Sequence, residues 1–296
     1  SSLSGTYTLD GAFSQTGAGG VTLNAAITTT ADAVSFNAPV TLGGNSSIST
    51  GAGVGDITFS SALDGGFNLS LTAGTGSIFF NGAVGGTTRL GDLAIVSAAN
   101  VSGSSVRAAS ITQSAGTGTT TFTGLLDTNT ASGISLTGSA FTLSGGATTT
   151  TGGTFTLANS GASSLSGTYT LDGAFSQTGA GAINLASSIT TTNDAITFAA
   201  PVTLTGPVIL TSAGADITFS STLDGNHNIS LAAAAGSIFL VGPVGGTTRL
   251  GTLTITSVNN LTAAAVRVNA LSQLAGSGTS SFTRLLDCAG SGGSVV

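Results

Sequence analysis

Lysine, glutamate, methionine and tryptophan are all missing from this chain of 296 residues, and its only charges are 11 Asp and 5 Arg. Those absences remove several of the residues that fill helices, while Thr, Val, Ile and Phe, which favour strands, remain. A helical fold is therefore not expected. The few arginines form no basic cluster, which argues against nucleic acid as a partner. The net charge of −6 comes from scattered Asp rather than from an acidic block. A single cysteine, Cys288, excludes an internal disulfide framework. The most apolar stretch, Leu231 to Gly246, is shorter than a bilayer span and is interrupted by Ser237 and Pro243, so no membrane span is expected in this segment.

What is present is mostly small and polar: 50 Thr, 41 Ser and 46 Gly make up nearly half the chain. Disordered chains share that look, but they combine low hydrophobicity with high net charge. Here 40% of the residues are hydrophobic and the apolar ones recur at regular intervals.

Two periods are visible. Ser1 to Gly19, SSLSGTYTLDGAFSQTGAG, returns unchanged as Ser163 to Gly181, an offset of 162 residues. After a two-residue deletion near Gly53 the offset becomes 160, so that DITFSS at Asp56 matches Asp216 and VGGTTRLG at Val84 matches Val244. The chain thus holds one repeat unit at 1–162 and an incomplete second at 163–296, and a longer array with an export signal upstream is expected. Inside each unit a φ-x-φ-x-x-x-φ pattern (φ apolar) recurs every 21 to 23 residues, as Val34/Phe36/Val40, Ile57/Phe59/Leu63 and Ile78/Phe80/Val84. Weaker apolar pairs such as Leu69/Leu71 and Ile229/Leu231 lie between, so two short strands per period are expected, with turns of Gly, Asn and Asp.

A φ-x-φ strand has one apolar face and cannot bury it alone. If every period coils onto the last, Phe36, Phe59 and Phe80 form one ladder and Val40, Leu63 and Val84 a second. The expected fold class is all-β, a parallel β-solenoid (β-helix) with coils of about 21–23 residues around a thin continuous core. At ~4.8 Å per coil, roughly 13 to 14 coils give a rod of about 65 Å. A β-sandwich lacks this short register, and a propeller blade repeats at about 40 to 50 residues.

The stretch DITFSSALDGGFNLSLTAGTGSIFFNGAVGGTTRLGDLAIVSAANV, from Asp56 to Val101, resembles the repeats of very large bacterial surface proteins, the filamentous-haemagglutinin-like exoproteins and autotransporter-type adhesins. The resemblance covers nearly the whole chain. It implies a right-handed parallel β-helix, export to the cell surface, and an adhesive or biofilm role. It carries over no functional residue, and the absence of Lys and Glu departs from the commoner pattern.

Candidates for chemistry are few. Asp10, Asp56, Asp64 and Asp127 recur as Asp172, Asp216, Asp224 and Asp287. Carboxylates copied with the repeat read as turn residues capping local backbone, rather than as the paired acids of a β-helix polysaccharide enzyme. Gly51 to Asp56 is similar to the Gly- and Asp-rich nonapeptides that bind calcium between coils, but its second copy loses most of the glycines. His227, in the slot of Phe67, reads as surface decoration, and Cys288 lies in no nucleophile motif. Arg89/Arg249 and Arg107/Arg267 read as solvated charges, with pairing to Asp or to a glycan carboxylate as the alternative. An outward series Thr8, Thr22, Ser35, Thr58, Phe79 is too interrupted for an ice-binding array, and the hydroxyls equally suit O-glycosylation.

The expected function is that of a structural shaft in a secreted or surface-anchored bacterial fibre, without catalytic residues, cofactor or metal. Expected partners are neighbouring repeats of the same chain, further copies, and cell-surface glycans or host and abiotic surfaces. The alternatives are a self-assembling filament or sheath subunit, whose coil ends offer unpaired strand edges, and a β-helix carbohydrate-active enzyme.

Overall fold

Because side chains of a strand alternate between two faces, φ-x-φ places two apolar groups together and leaves x in solvent. In the computed structural model, which describes residues 1–289, that alternation runs through 34 strands, with no helix among the described residues. The strands coil as a parallel β-solenoid of about 14 turns. The chain divides into two compact units, Ser1–Gly145 and Gly146–Val296, and the sequence-repeat boundary at 162/163 falls inside the second.

In the first unit each turn carries three strand segments, not the expected two. One face stacks Phe13–Gln15, Val34–Phe36, Ile57–Phe59 and Ile78–Phe80 in register. A second stacks Val21, Val40, Leu63, Val84 and Val106. The third stacks Ile27, Ile48, Leu71 and Ile95. The φ-x-φ-x-x-x-φ pattern spans a corner: in Val34 to Val40 the turn Asn37-Ala38-Pro39 sends the last apolar residue onto the second face. The third-face strand Ser46–Ser49 has only one apolar residue, Ile48, so its composition hides a strand that its register reveals.

The core is made of the expected columns. Phe36 and Phe59 stack with ring centroids 5.4 Å apart and planes 6° from parallel, and Phe59 and Phe80 follow at 5.8 Å and 8°. Rings one coil apart adopt this spacing because the backbones beneath them are held at a strand separation of ~4.8 Å. A fully buried ring of this size contributes about 1.5–3 kcal/mol through area removed from water. The column pauses at Gly103, where a Cβ would lie 3.1 Å from the ring of Phe122 in the next coil.

The second unit repeats the plan. Ile196, Ile217, Ile238 and Leu261 form one inward column, with Phe198, Phe219, Leu240 and Ala263 beside it. Phe198 and Phe219 stack at 5.1 Å and 8°. Its third face differs from that of the first unit: Val208–Thr211 (VILT) replaces Ser46–Ser49 (SSIS). Val208 is buried while Ile209 stands outward, 52% exposed.

Corners need backbone partners, because each interrupts the ladder. Inward hydroxyls supply some: Thr50 donates to the carbonyl of Gly55 at 2.7 Å, and Thr29, Thr149, Thr191 and Ser212 close the equivalent corners on Asp32, Gly153, Asp194 and Ala215. At one corner glycine is obligatory. Gly85 and Gly245 have φ of 67° and 65°, and a Cβ on either would sit 2.0 Å from the carbonyl oxygen of Arg107 or Arg267.

Candidate functional site

The recurring aspartates were the first candidates for chemistry, and the structure shows what most of them hold. Asp56 Oδ1 accepts the N–H of Ser77 at 2.7 Å, and Asp216 Oδ1 accepts that of Ser237 at 2.7 Å. Asp64 Oδ1 accepts the amides of Thr87 and Thr88 at 2.8 and 3.1 Å, matched by Asp224 with Thr247 and Thr248 at 2.9 and 3.1 Å. Asp172 Oδ2 accepts from Gly152 at 2.8 Å. Asp56, Asp172 and Asp216 are corner residues, as expected, whereas Asp64 and Asp224 lie on the short strands Leu63–Asp64 and Leu223–Asp224. The amides all five hold are 20 to 24 residues away, so they brace the neighbouring coil rather than their own turn. Gly51 to Asp56 is one such corner, and its carboxylate is engaged in this way.

Asp127 and Asp287 correct the turn reading, and their partners correct the reading of the arginines as solvated charges. Both carboxylates lie on strands, Leu126–Thr128 and Leu286–Cys288. Arg89 donates from Nη2 to Asp127 Oδ2 at 2.6 Å and from Nη1 to the carbonyls of Ala108 and Asp127 at 2.9 and 2.6 Å. Arg107, one coil nearer, donates from Nε to the same Oδ2 at 3.2 Å. In the second unit Arg249 Nη2 donates to Asp287 Oδ2, Arg249 Nη1 reaches the carbonyls of Val268 and Asp287, and Arg267 Nε lies 3.6 Å from Asp287 Oδ2. Each cluster is a clamp across three successive coils. The reason is geometric: Arg107 and Asp127 are register partners on adjacent coils, and Arg89 extends over both. The hydrogen bond from Arg249 holds the Asp287 carboxyl below the ordinary carboxylate range, against the opposing effect of desolvation.

Glutamine is the residue whose role the sequence did not disclose. Gln15 and Gln177 occupy the inward slot that Phe36 and Phe198 fill one coil later. Gln177 is fully buried, accepts the amides of Ala199 and Ala200 at 3.0 and 2.9 Å, and donates to Asn159 Oδ1 and to the carbonyl of Gly179 at 2.8 and 2.6 Å. Gln113, also buried, accepts from the Thr120 hydroxyl at 2.9 Å. A polar residue in the φ slot of FSQ, beside VSF and ITF, was the available signal.

The remaining candidates are scattered. His227 is half-buried at a corner, and its backbone carbonyl accepts the N–H of Gly251 at 3.0 Å. Cys288 is a half-buried free thiol in the inward slot that Thr128 fills in the first unit. Of the hydroxyl series, Ser35, Thr58 and Phe79 are register neighbours on one face, whereas Thr22 pairs with Thr41 on the second and Thr8 with Thr28 on the third. Among the described residues no three His, Cys, Asp or Glu side chains gather into a metal-binding group, and no helix is long and apolar enough to cross a membrane.

The geometry therefore brings Asp and Arg together as coil clamps and distributes the other aspartates along corners and strand segments. No protein-family model matches the chain, and no curated protein and no solved structure matches it either.

Proposed function

We propose that the chain is a shaft segment of a secreted or surface-anchored bacterial fibre, with an adhesive or biofilm role, of the kind built by filamentous-haemagglutinin-like exoproteins and autotransporter-type adhesins. The observation that supports this reading is where the recurring polar side chains go. Asp56, Asp64, Arg89, Arg107 and Asp127 and their second-unit counterparts all bind the adjacent coils. A repeat whose scarce charged groups maintain stacking is suited to length, since each coil depends on its neighbours alone. The resemblance of Asp56 to Val101 to large surface-protein repeats supports the same reading and, with it, a fibre outside the cell. Its partners are then the neighbouring repeats of the long chain and the glycans or abiotic surfaces that a projecting fibre meets.

Electron microscopy of chains carrying one, two and four added 162-residue units tests this. Unbranched rods whose length rises in proportion to the number of units are expected, together with labelling of intact producing cells by an antibody to the chain. Rods of constant length, or label reached only after lysis, would overturn the reading. Concentration-dependent end-to-end growth would favour a self-assembling filament or sheath instead.

A further inference from the structure

On the third face of the first unit, small side chains leave an open groove of about 450 Å³ that crosses four coils. Its floor is Ser47, Ser70 and Ala94, which are register neighbours, and its edge is the row Asn45, Asn68 and Asp92. We propose that this groove binds a neutral oligosaccharide lying along the solenoid axis; the biological part of the inference rests on the surface-fibre reading above.

The row is fixed from coil to coil. Asn45 Oδ1 accepts the N–H of Asn68 at 3.0 Å, and Asn68 Oδ1 accepts the N–H of Asp92 at 2.8 Å. With their oxygens tied to the next coil, both amide groups are oriented, and each Nδ2 is left as a donor for something else. Asp92 is oriented in the same manner, through the Ser110 hydroxyl on its Oδ1 at 2.6 Å, which leaves Oδ2 as an acceptor. The edge thus offers donor, donor and acceptor at one group per coil, a spacing of ~4.8 Å, already immobilised before a ligand arrives. All three residues are exposed.

The chemistry of the lining selects the ligand class. Neutral donors with a single carboxylate suit hydroxyl groups, which both donate and accept, and disfavour phosphate or a second carboxylate. Small apolar and hydroxyl side chains on the floor give the C–H face of a sugar ring a surface without steric obstruction. The row runs along the stack of coils, which suits a chain of sugars more than an isolated one.

The second unit provides an internal contrast. Asn45, Ser46 and Ser47 correspond to Pro207, Val208 and Ile209, and Asp92 corresponds to Thr252. Even the support is gone, since Ala270 stands where Ser110 orients Asp92. At the matching positions the second copy has neither the Asn45 donor nor the Asp92 acceptor, while Asn68 persists as Asn228, which accepts the backbone amide of Thr252 there.

The test uses the full chain on an array of neutral, acidic and basic oligosaccharides, followed by calorimetry on the best neutral binder. Two variants copy the second unit, whose fold accommodates those residues: Ser46→Val with Ser47→Ile, and Asp92→Thr. The filled groove is expected to lose binding by at least about tenfold and Asp92→Thr by about three- to tenfold, with far-ultraviolet dichroism unchanged in both. Absence of any neutral binder, or affinity unaltered by both variants, would overturn the groove. Preference for acidic sugars would do so as well. Electron microscopy of the same preparations keeps the two ideas separate, because rods that bind no sugar leave the shaft intact and sink only the groove.

Discussion

Ser1–Gly19 and Ser163–Gly181 have the same 19 residues and nearly the same strands, yet they occupy different surroundings. In the first copy Leu3, Tyr7, Phe13 and Gln15 are only partly buried; in the second, Leu165, Tyr169, Phe175 and Gln177 are no more than 1% exposed. The second copy lies between two described coils. Tyr7 and Phe13 pair forward with Ile27 and Val34. Tyr169 and Phe175 pair forward with Ile189 and Ile196 and also rest on Ala147 and Phe155 behind them. Tyr169 stands edge-on to Phe155 at 5.4 Å, and Phe155 stacks on Phe175 at 5.4 Å. Identical sequence therefore codes for the coil, but stability belongs to the interface between coils.

The largest expected effect tests that claim directly. Phe175→Ala should lower unfolding stability by about 3–5 kcal/mol and Phe13→Ala by roughly 1 kcal/mol, since a half-exposed ring leaves less cavity behind. Urea denaturation followed by far-ultraviolet dichroism reads the difference, and equal losses would mean the surroundings do not matter. Next, Gln177→Ala strips the amides of Ala199 and Ala200 and the Asn159 carboxamide of a buried partner, a loss of about 2–3 kcal/mol. Gln15→Ala should cost less than half as much, and hydrogen exchange at Ala38 and Ala200 would locate both effects.

Tyr169→Phe should have the opposite sign. The Tyr169 hydroxyl is buried without a hydrogen-bond partner, so removing it should raise stability by ~1 kcal/mol while Tyr7→Phe changes nothing. Burial also pushes the Tyr169 phenol well above the ordinary tyrosine range. A folded state that keeps the proton more tightly loses stability as pH rises past the unfolded value of ~10. Alkaline unfolding should therefore be delayed in Tyr169→Phe, and an unchanged alkaline midpoint would argue against a dry hydroxyl. The smallest effect lies outside the identical segment. Asp287, with its ionisation lowered by Arg249, contributes stability above the unfolded value of ~3.9 and loses it as pH falls through its own lower value. Carbon-13 titration of its carboxyl should show a midpoint below ~3.9 that moves back up in Arg249→Ala.

How far this was legible in the sequence depended on whether a residue obeyed the alternation. Phe36, Phe59 and Phe80, with Val40, Leu63 and Val84, declared their columns because they are apolar at a constant spacing. Ser46–Ser49 did not, since a strand with one apolar residue looks like a loop until its neighbours Leu69 and Leu71 are seen to pair with it. Gln177 was hidden for a related reason: an inward polar residue is recognised only once the corner amides it satisfies are known. The Arg–Asp clamps needed register. Nothing in the spacing of Arg89 and Asp127 indicates contact until the coil between them has a defined length. The groove was the least visible feature, being made of what Ser46 and Ser47 lack in size relative to Val208 and Ile209.

The clamps have a mechanical consequence. A shaft pulled along its chain would shed coils singly if each were held only by its ladder, releasing about 70 Å of slack for a 21-residue turn. Arg89 and Arg249 each reach a carboxylate 38 residues away. Under load those turns must yield as one block, and a force trace should show a rupture step of about 130 Å, replaced in Arg89→Ala by two shorter ones.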